Sequence, residues 1–190
     1  MQIASIIVGS GVGTRAESDM PKQFADLLGR PVIAWSVDAF RAHGGISEII
    51  IVADPEWHDW LKERFAGPDL TIVAGGDTRT ASVRAGLAAI VDAEHVLIHD
   101  AARPGLTDEI LDALIASFAS HEAVAPALAV VDTLKRRDEE TLSTIDRTGL
   151  YRIQTPQGFK TSVIAAALKD SAADLFDDIQ AVEALGAKVA

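Results

Sequence analysis

The feature that most constrains this chain is an alternation of short, nearly continuous apolar runs with segments of helical period. Runs at 3–8, 48–53, 70–74, 94–99 and 122–130 predict strands, and their lack of polar alternation predicts burial on both faces. Between them, 32–42, 56–65, 80–91 and 107–119 predict helices; Thr107 is placed as an N-cap with Asp108 and Glu109 in the first turn. Such an order implies a mostly parallel sheet covered by helices on both faces, an α/β architecture. The 190 residues, 48% apolar, suffice for one domain with a sizeable core. No internal repeat and no Pro/Gly/Ser linker marks a boundary.

The 17 basic residues against 28 acidic leave a net charge of −11 and a pI near 4.8. That balance repels nucleic acid and anionic membranes over most of the surface, so neither is expected as a partner. Absence of cysteine removes disulfides, zinc ribbons and thiolate chemistry, and suits a cytoplasmic protein. The longest aliphatic run, Ile49 to Ala53, is far too short to span a bilayer, and Met1-Gln2-Ile3 carries no basic export signal.

One stretch breaks the alternation. Residues 132–153 are too charged for a core element and predict a projecting two-stranded arm, either a solvated hairpin or an arm exchanged between subunits. A last helix, 174–185, stops at Gly186 as C′ residue, and Ala187 to Ala190 reads as a strand truncated after it has begun.

Four clusters follow strands or turns. In the first, Gly9-Ser10-Gly11-Val12-Gly13-Thr14-Arg15, the glycines can bring backbone N–H groups close to an anion; a generic glycine turn is the alternative. Thr14 and Pro21 argue against a dinucleotide fingerprint, and no Gly-Lys-Ser/Thr completes an NTPase phosphate loop. Arg15 and Lys22 flank this loop as two cations suited to neutralising a triphosphate. The second, Gly75-Gly76-Asp77-Thr78-Arg79-Thr80-Ala81-Ser82-Val83, offers a hydroxyl and backbone groups to a base or ribose, or is an ordinary turn with a helix cap. Lying past strand ends, it can share a crevice with the first. The third, His99 to Gly105, holds Asp100 and Arg103, which either pair with each other or hold hydroxyls, a metal or a phosphate. The fourth, Gln154 to Phe159, reads alone as a turn.

Taken in order, Gly-x-Gly-Thr-Arg with Pro21-Lys22-Gln23, Gly75-Gly76-Asp77 with Ser82-Val83, His99-Asp100-Ala101-Ala102-Arg103-Pro104, Asp132-Thr133-Leu134-Lys135, Asp146-Arg147-x-Gly149-Leu150 and Thr155-Pro156-Gln157-Gly158-Phe159 resemble the 2-C-methyl-D-erythritol 4-phosphate cytidylyltransferase family. The match runs from the first strand to the last helix. It implies a Rossmann-like fold of the nucleotide-diphospho-sugar transferase type. It also implies transfer of CMP from CTP to methylerythritol phosphate, releasing pyrophosphate, in non-mevalonate isoprenoid synthesis. A form fused to a cyclodiphosphate synthase domain belongs to the same family.

By position, the resemblance implies that Arg15 and Lys22 stabilise the transition state, each removal lowering kcat on the order of 10²–10³-fold. It implies that Gly9, Ser10, Gly11, Gly13, Gly76, Asp77 and Ser82 bind CTP, although the usual Ala-Ala-Gly reads Gly9-Ser10-Gly11 here. Asp100, Arg103, Thr133, Thr155 and Asp177 match substrate positions, and Arg147 on the arm completes a partner's site in a homodimer. Mg²⁺ is expected on the CTP phosphates, held largely by the nucleotide, with no protein metal ligand assigned. Phe176 stands where the family usually has a threonine, and its second substrate-positioning lysine lies beyond Ala190. Two other readings are a ribitol phosphate or related cytidylyltransferase and a non-catalytic nucleotide-binding module; a nicotinamide oxidoreductase ranks behind both.

Overall fold

A computed structural model describes residues 1–11, 20–169, 175 and 177–190 of the chain. In chain order it contains β1 (Ile3–Val8), a small hairpin of β2 (Asp26–Leu27) and β3 (Arg30–Pro31), α1 (Val32–Ala42) and β4 (Glu48–Ala53). A 3₁₀ turn (Pro55–Trp57) leads into α2 (His58–Phe65), then β5 (Leu70–Ala74), α3 (Arg79–Ala88), β6 (His95–Asp100) and α4 (Asp108–Ser117). The second half holds β7 (Ala123–Val124), β8 (Ala127–Ala129), β9 (Leu134–Asp138), β10 (Thr141–Ile145), β11 (Tyr151–Ile153), β12 (Gln157–Lys160), α5 (Thr161–Lys169) and α6 (Asp178–Ala184).

Among the described residues the main sheet has six strands in the order β5-β4-β1-β6-β12-β7. The first four are mutually parallel, and β12 runs antiparallel to both of its neighbours. Alternate residues of each central strand feed two separate cores. Ile3, Ile7, Ile49, Ile51 and Leu97 pack under α1, α2 and α4. Ala4, Ile6, Ile50, Val52, Val96 and Ile98 pack under α3, α5 and α6. Because both faces are covered, the apolar residues on either face of these strands gain from burial, at about 1.5–3 kcal/mol for a large aliphatic side chain. A mostly parallel α/β sheet with helices on both faces is thus the architecture of the chain.

Several expected elements differ in extent. Residues 122–130 form two strands in different sheets rather than one, because Pro126 has no N–H to continue a ladder. Its carbonyl accepts from Gln154 N at 2.8 Å at the crossing. The 154–159 turn in fact leads into a core strand, β12, and the sequence reading assigns no helix to α5 although Ile164 and Leu168 stand at i,i+4 and are buried. The helix expected over 56–65 begins as a 3₁₀ turn, and α6 starts at Asp178 with Asp177 as its N-cap. Gly186, at φ +81°, is the C′ residue expected after α6. Val189 then bridges Ala123 in parallel. The arm is a hairpin, β9 against β10.

Candidate active site

Strand order reverses between β1 and β6, since β4 and β5 extend on one side of β1 and β6 lies on the other. Ligands in open α/β sheets gather outside the carboxyl ends of strands at such a point. The register brings Val8, Val52 and Asp100 level. Backbone pairing continues into the loops through Gly9 N to Val52 O (2.7 Å), Gly75 N to Ala53 O (3.0 Å) and Ala101 N to Val8 O (3.0 Å). A cleft of about 590 Å³ results, into which the first three clusters and Lys22 converge. Gly9, Ser10, Gly11, Lys22, Gly76, Asp77, Asp100 and Arg103 line it together, as does Arg79.

The glycine loop is held from both sides. Gln23, 3% exposed, donates through Nε2 to the carbonyls of Gly9 (2.6 Å) and Gly11 (3.1 Å). On the other side Ser10 Oγ lies 2.7 Å from Ser82 Oγ. Ser82 Oγ also accepts from Gly76 N at 3.1 Å and donates to Thr78 O at 3.0 Å. One proton and two lone pairs are all a hydroxyl has, so Ser82 is fully engaged in shaping the turn. Gly75 leaves the room this closure needs, because a Cβ there would fall on Ser10 Cβ and 3.0 Å from Ser82 Oγ. Thr78, extended in φ and ψ, caps α3 by accepting from Ala81 N.

Lys22 enters the cleft immediately before two anchored residues. Phe24 is buried, stacked on Trp57 at 4.5 Å and packed on Trp60 at 5.2 Å, while Gln23 grips the glycine loop. Among the described residues the Lys22 ammonium makes no ion pair. Gly13 and Arg15 lie outside the described residues, as does Phe176.

At the other end of the cleft a chain of alternating charge runs from α6 to the β6 loop. Arg79 Nε is 3.3 Å from Asp100 Oδ1, and Arg103 Nε is 3.1 Å from Asp100 Oδ2. Arg79 Nη1 is also 2.8 Å from Oδ2 of Asp178, close for an ion pair but too poorly aligned to satisfy that oxygen as a hydrogen bond. Burial works against the Arg79 charge, yet the carboxylates of Asp178 and Asp100 outweigh it and raise its pKa above the ordinary guanidinium value. Burial likewise pushes the Asp178 carboxyl up, against the opposing pull of Arg79. Arg103 Nη1 donates to Gln154 Oε1 at 2.7 Å. Asp177 touches this region indirectly, with Oδ2 3.4 Å from Gln157 Nε2 and Oδ1 capping α6 at Gln180 N.

Beneath Asp100 lies His99, 1% exposed. Its Nε2 is 2.9 Å from the Arg103 carbonyl and 3.1 Å from Ser36 Oγ of α1, and its Nδ1 is 3.1 Å from Thr155 Oγ1. Thr155 Oγ1 in turn accepts from Asp100 N at 3.3 Å. Burial lowers the His99 pKa to about 4, against the opposing effects of the Arg103 carbonyl and the Asp100 charge, so the ring is neutral. Gln23, Arg79 and His99 sit inside motifs quoted from the sequence with no site role assigned to them, and Asp178 is given none either. The partners of His99 are scattered along the chain.

Thr133 and Arg147 are exposed on the arm and do not line the cleft of their own chain. Near them Leu142 (65% exposed), Tyr151 (61%), Val131, Leu128 and Ile153 leave apolar side chains uncovered along the arm and the β8–β11 pair.

Residues 3–190 match the family model described as IspD, 2-C-methyl-D-erythritol 4-phosphate cytidylyltransferase. The chain is 44% identical over 192 residues to the bifunctional enzyme IspD/IspF of Hyphomonas neptunium, covering 99% of itself but 50% of that protein. It thus spans about half the length of the bifunctional relatives it matches. It is 40% identical over 195 residues to the 2-C-methyl-D-erythritol 4-phosphate cytidylyltransferase of Cereibacter sphaeroides, covering all of itself and 87% of that protein. The crystal structure of 4-diphosphocytidyl-2C-methyl-D-erythritol synthase from Anaerococcus prevotii superposes with a TM-score of 0.84 at 30% identity, over 98% of this chain and 84% of that one. Sheet, cleft and sequence therefore agree, and the chain belongs to the 2-C-methyl-D-erythritol 4-phosphate cytidylyltransferase family.

Proposed function

We propose that the chain transfers CMP from CTP to 2-C-methyl-D-erythritol 4-phosphate, in the cytoplasm. A phosphate oxygen of the alcohol phosphate bonds to the α-phosphorus of CTP while the bond from that phosphorus to the bridging oxygen breaks, and pyrophosphate leaves with its electron pair. The observation that carries this reading is the single cleft in which a glycine loop and Lys22 face Asp100 and Arg103. A phosphomonoester is a competent nucleophile at neutral pH, so alignment and charge compensation are the protein's tasks. In this reading the Gly9–Gly11 loop and the Gly75–Ser82 turn seat the nucleotide, Lys22 with Arg15 offsets charge growing on the α-phosphate and leaving group, and Asp100 and Arg103 hold the acceptor.

The carboxylates present suit magnesium carried in on the nucleotide. Asp77 lines the cleft, Asp100 is occupied by two guanidiniums, and among the described residues no group of three metal-ligating side chains occurs. When bound, such an ion would neutralise phosphate charge, and Asp77 is the carboxylate of the described cleft lining that pairs with no guanidinium among the described residues. A homodimer belongs to the same proposal: the uncovered apolar side chains of the arm and of β8–β11 give a second copy something to bury, and Thr133 and Arg147 then serve the partner's cleft.

The test is pyrophosphate release from CTP and Mg²⁺ with methylerythritol phosphate or ribitol phosphate as acceptor. Release with the first and not the second is expected. Release only with ribitol phosphate, or tight calorimetric binding of CTP without turnover of either acceptor, would overturn the assignment.

A further inference from the structure

We propose that His99 is a positioning residue for the acceptor half of the cleft: it fixes Asp100, Arg103 and Thr155 as one unit while touching no substrate itself. The inference rests on the reaction proposed above. Its basis is an inventory of protons. The Arg103 carbonyl can only accept, so Nε2 of His99, 2.9 Å away, carries the ring proton. Nδ1 is then a bare lone pair and takes the hydroxyl proton of Thr155 at 3.1 Å. That leaves the Thr155 oxygen as an acceptor, and Asp100 N–H points into it at 3.3 Å. The direction of every bond follows: Asp100 N–H to Thr155 Oγ1–H to His99 Nδ1, and His99 Nε2–H to Arg103 C=O.

Ser36 closes the arrangement from α1. Its hydroxyl donates to the same Arg103 carbonyl at 3.2 Å, which fixes the far side of the short turn in which Arg103 N donates to Asp100 O at 3.0 Å. The Phe40 ring meets the imidazole edge-on at 5.7 Å and blocks its tilt. A buried histidine needs its two nitrogens satisfied, and any two core groups would do that. Here the two partners outside α1 are Arg103, which lines the cleft, and Thr155, which accepts from the backbone of Asp100, a second lining residue. The nucleotide loops are closed by a separate pair, Gln23 and Ser82, and the link from their turn to this network runs through the Arg79 side chain on Asp100 Oδ1 rather than through His99. His99 therefore acts first on the acceptor side of the cleft.

Steady-state kinetics on the full chain separates this from a packing role. His99→Leu should raise KM for methylerythritol phosphate on the order of 10-fold to 100-fold, as expected for lost hydrogen bonds that hold charged binding groups, with KM for CTP changed by less than about twofold. His99→Asn, whose side-chain oxygen can still accept from Thr155, should show a smaller rise than Leu. Thr155→Val should match His99→Leu, and the double variant should be no worse than either, because both cut the same chain of bonds. Equal shifts in the two KM values, additive effects in the double variant, or no shift at all would overturn the role. If His99→Leu does not fold, His99→Asn and Thr155→Val carry the same comparison. Wild-type protein that releases no pyrophosphate with any acceptor would instead sink the reaction on which the inference stands.

Discussion

At the scale of the residue, the imidazole of His99 ties acceptor geometry to acidity. Burial holds its pKa at about 4, against 6.5 for the free group. The unfolded chain takes up a proton near 6.5 that the folded chain refuses until about 4, so this stabilising contribution is complete above the higher value and is lost as pH falls through the window between them. The span corresponds to about 3 kcal/mol. Asp100 and Arg103 are the charged groups facing the ring, and neither reverses the sign. Thermal melts from pH 7 down to pH 4 should show a steeper fall in Tm for the wild type than for His99→Asn; parallel curves would mean that the histidine is not refused its proton. This residue was hard to read beforehand for a physical reason. Ser36, Arg103 and Thr155 come together only after α1, β6 and β12 have packed, so no local spacing announces them. Lys22 was legible because a cation beside a glycine loop stands out in an acidic chain. Gln23, next to it, was not, since its role is to hold two carbonyls.

At the scale of the element, the proposed nucleotide seat depends on closure of the glycine loop against the Gly75–Ser82 turn. Gly75→Ala would place a methyl against Ser10 and Ser82 and force the two loops apart. A rise of about tenfold or more in KM for CTP is expected, with roughly 1–3 kcal/mol of lost stability, as for other overpacked sites. Gly105→Ala is the matched control, because a Cβ there meets nothing within 4 Å. Kinetics and melts on the two variants give the comparison, and similar behaviour in both would refute the closure. Element by element, β1, β4 and β6 were readable because both of their faces are buried and their sequences are apolar throughout. β12 was not: it has four residues, one of them Gly158, held glycine because Phe118 and Val124 pack where a Cβ would stand, and it is a strand through its pairing with β6 and β7. The β2–β3 hairpin, two residues a side, carries no periodic signal at all. Thr107 occupies the N-cap position of α4 as read, although α4 ends two residues short of the expected range.

At the scale of the whole molecule, the proposed dimer makes each cleft a joint product of two chains. If Arg147 serves the partner, mixing Arg147→Ala with Lys22→Ala protein should restore activity, to about a quarter of the wild-type level for random exchange, because each mixed dimer has one intact cleft. Pyrophosphate release after co-refolding measures it, and no recovery would rule out the trans arrangement. The molecule as a whole is acidic, yet the cleft collects Lys22, Arg79 and Arg103. Two of these three are already matched by Asp100. That carboxylate is an incumbent: an anion arriving at the arginines has to displace it and gains only the difference between two ion pairs. In the proposed reaction the Asp100 end of the cleft is therefore expected to discriminate against small free anions and to favour a ligand that brings hydroxyls for Asp100 to hold once its arginines turn away. Inorganic phosphate should compete weakly with the wild type and markedly better with Asp100→Asn. Unchanged competition would show that the incumbent does not guard the site, and stronger competition in the variant would make a resident carboxylate the means by which this end of the cleft turns phosphate away.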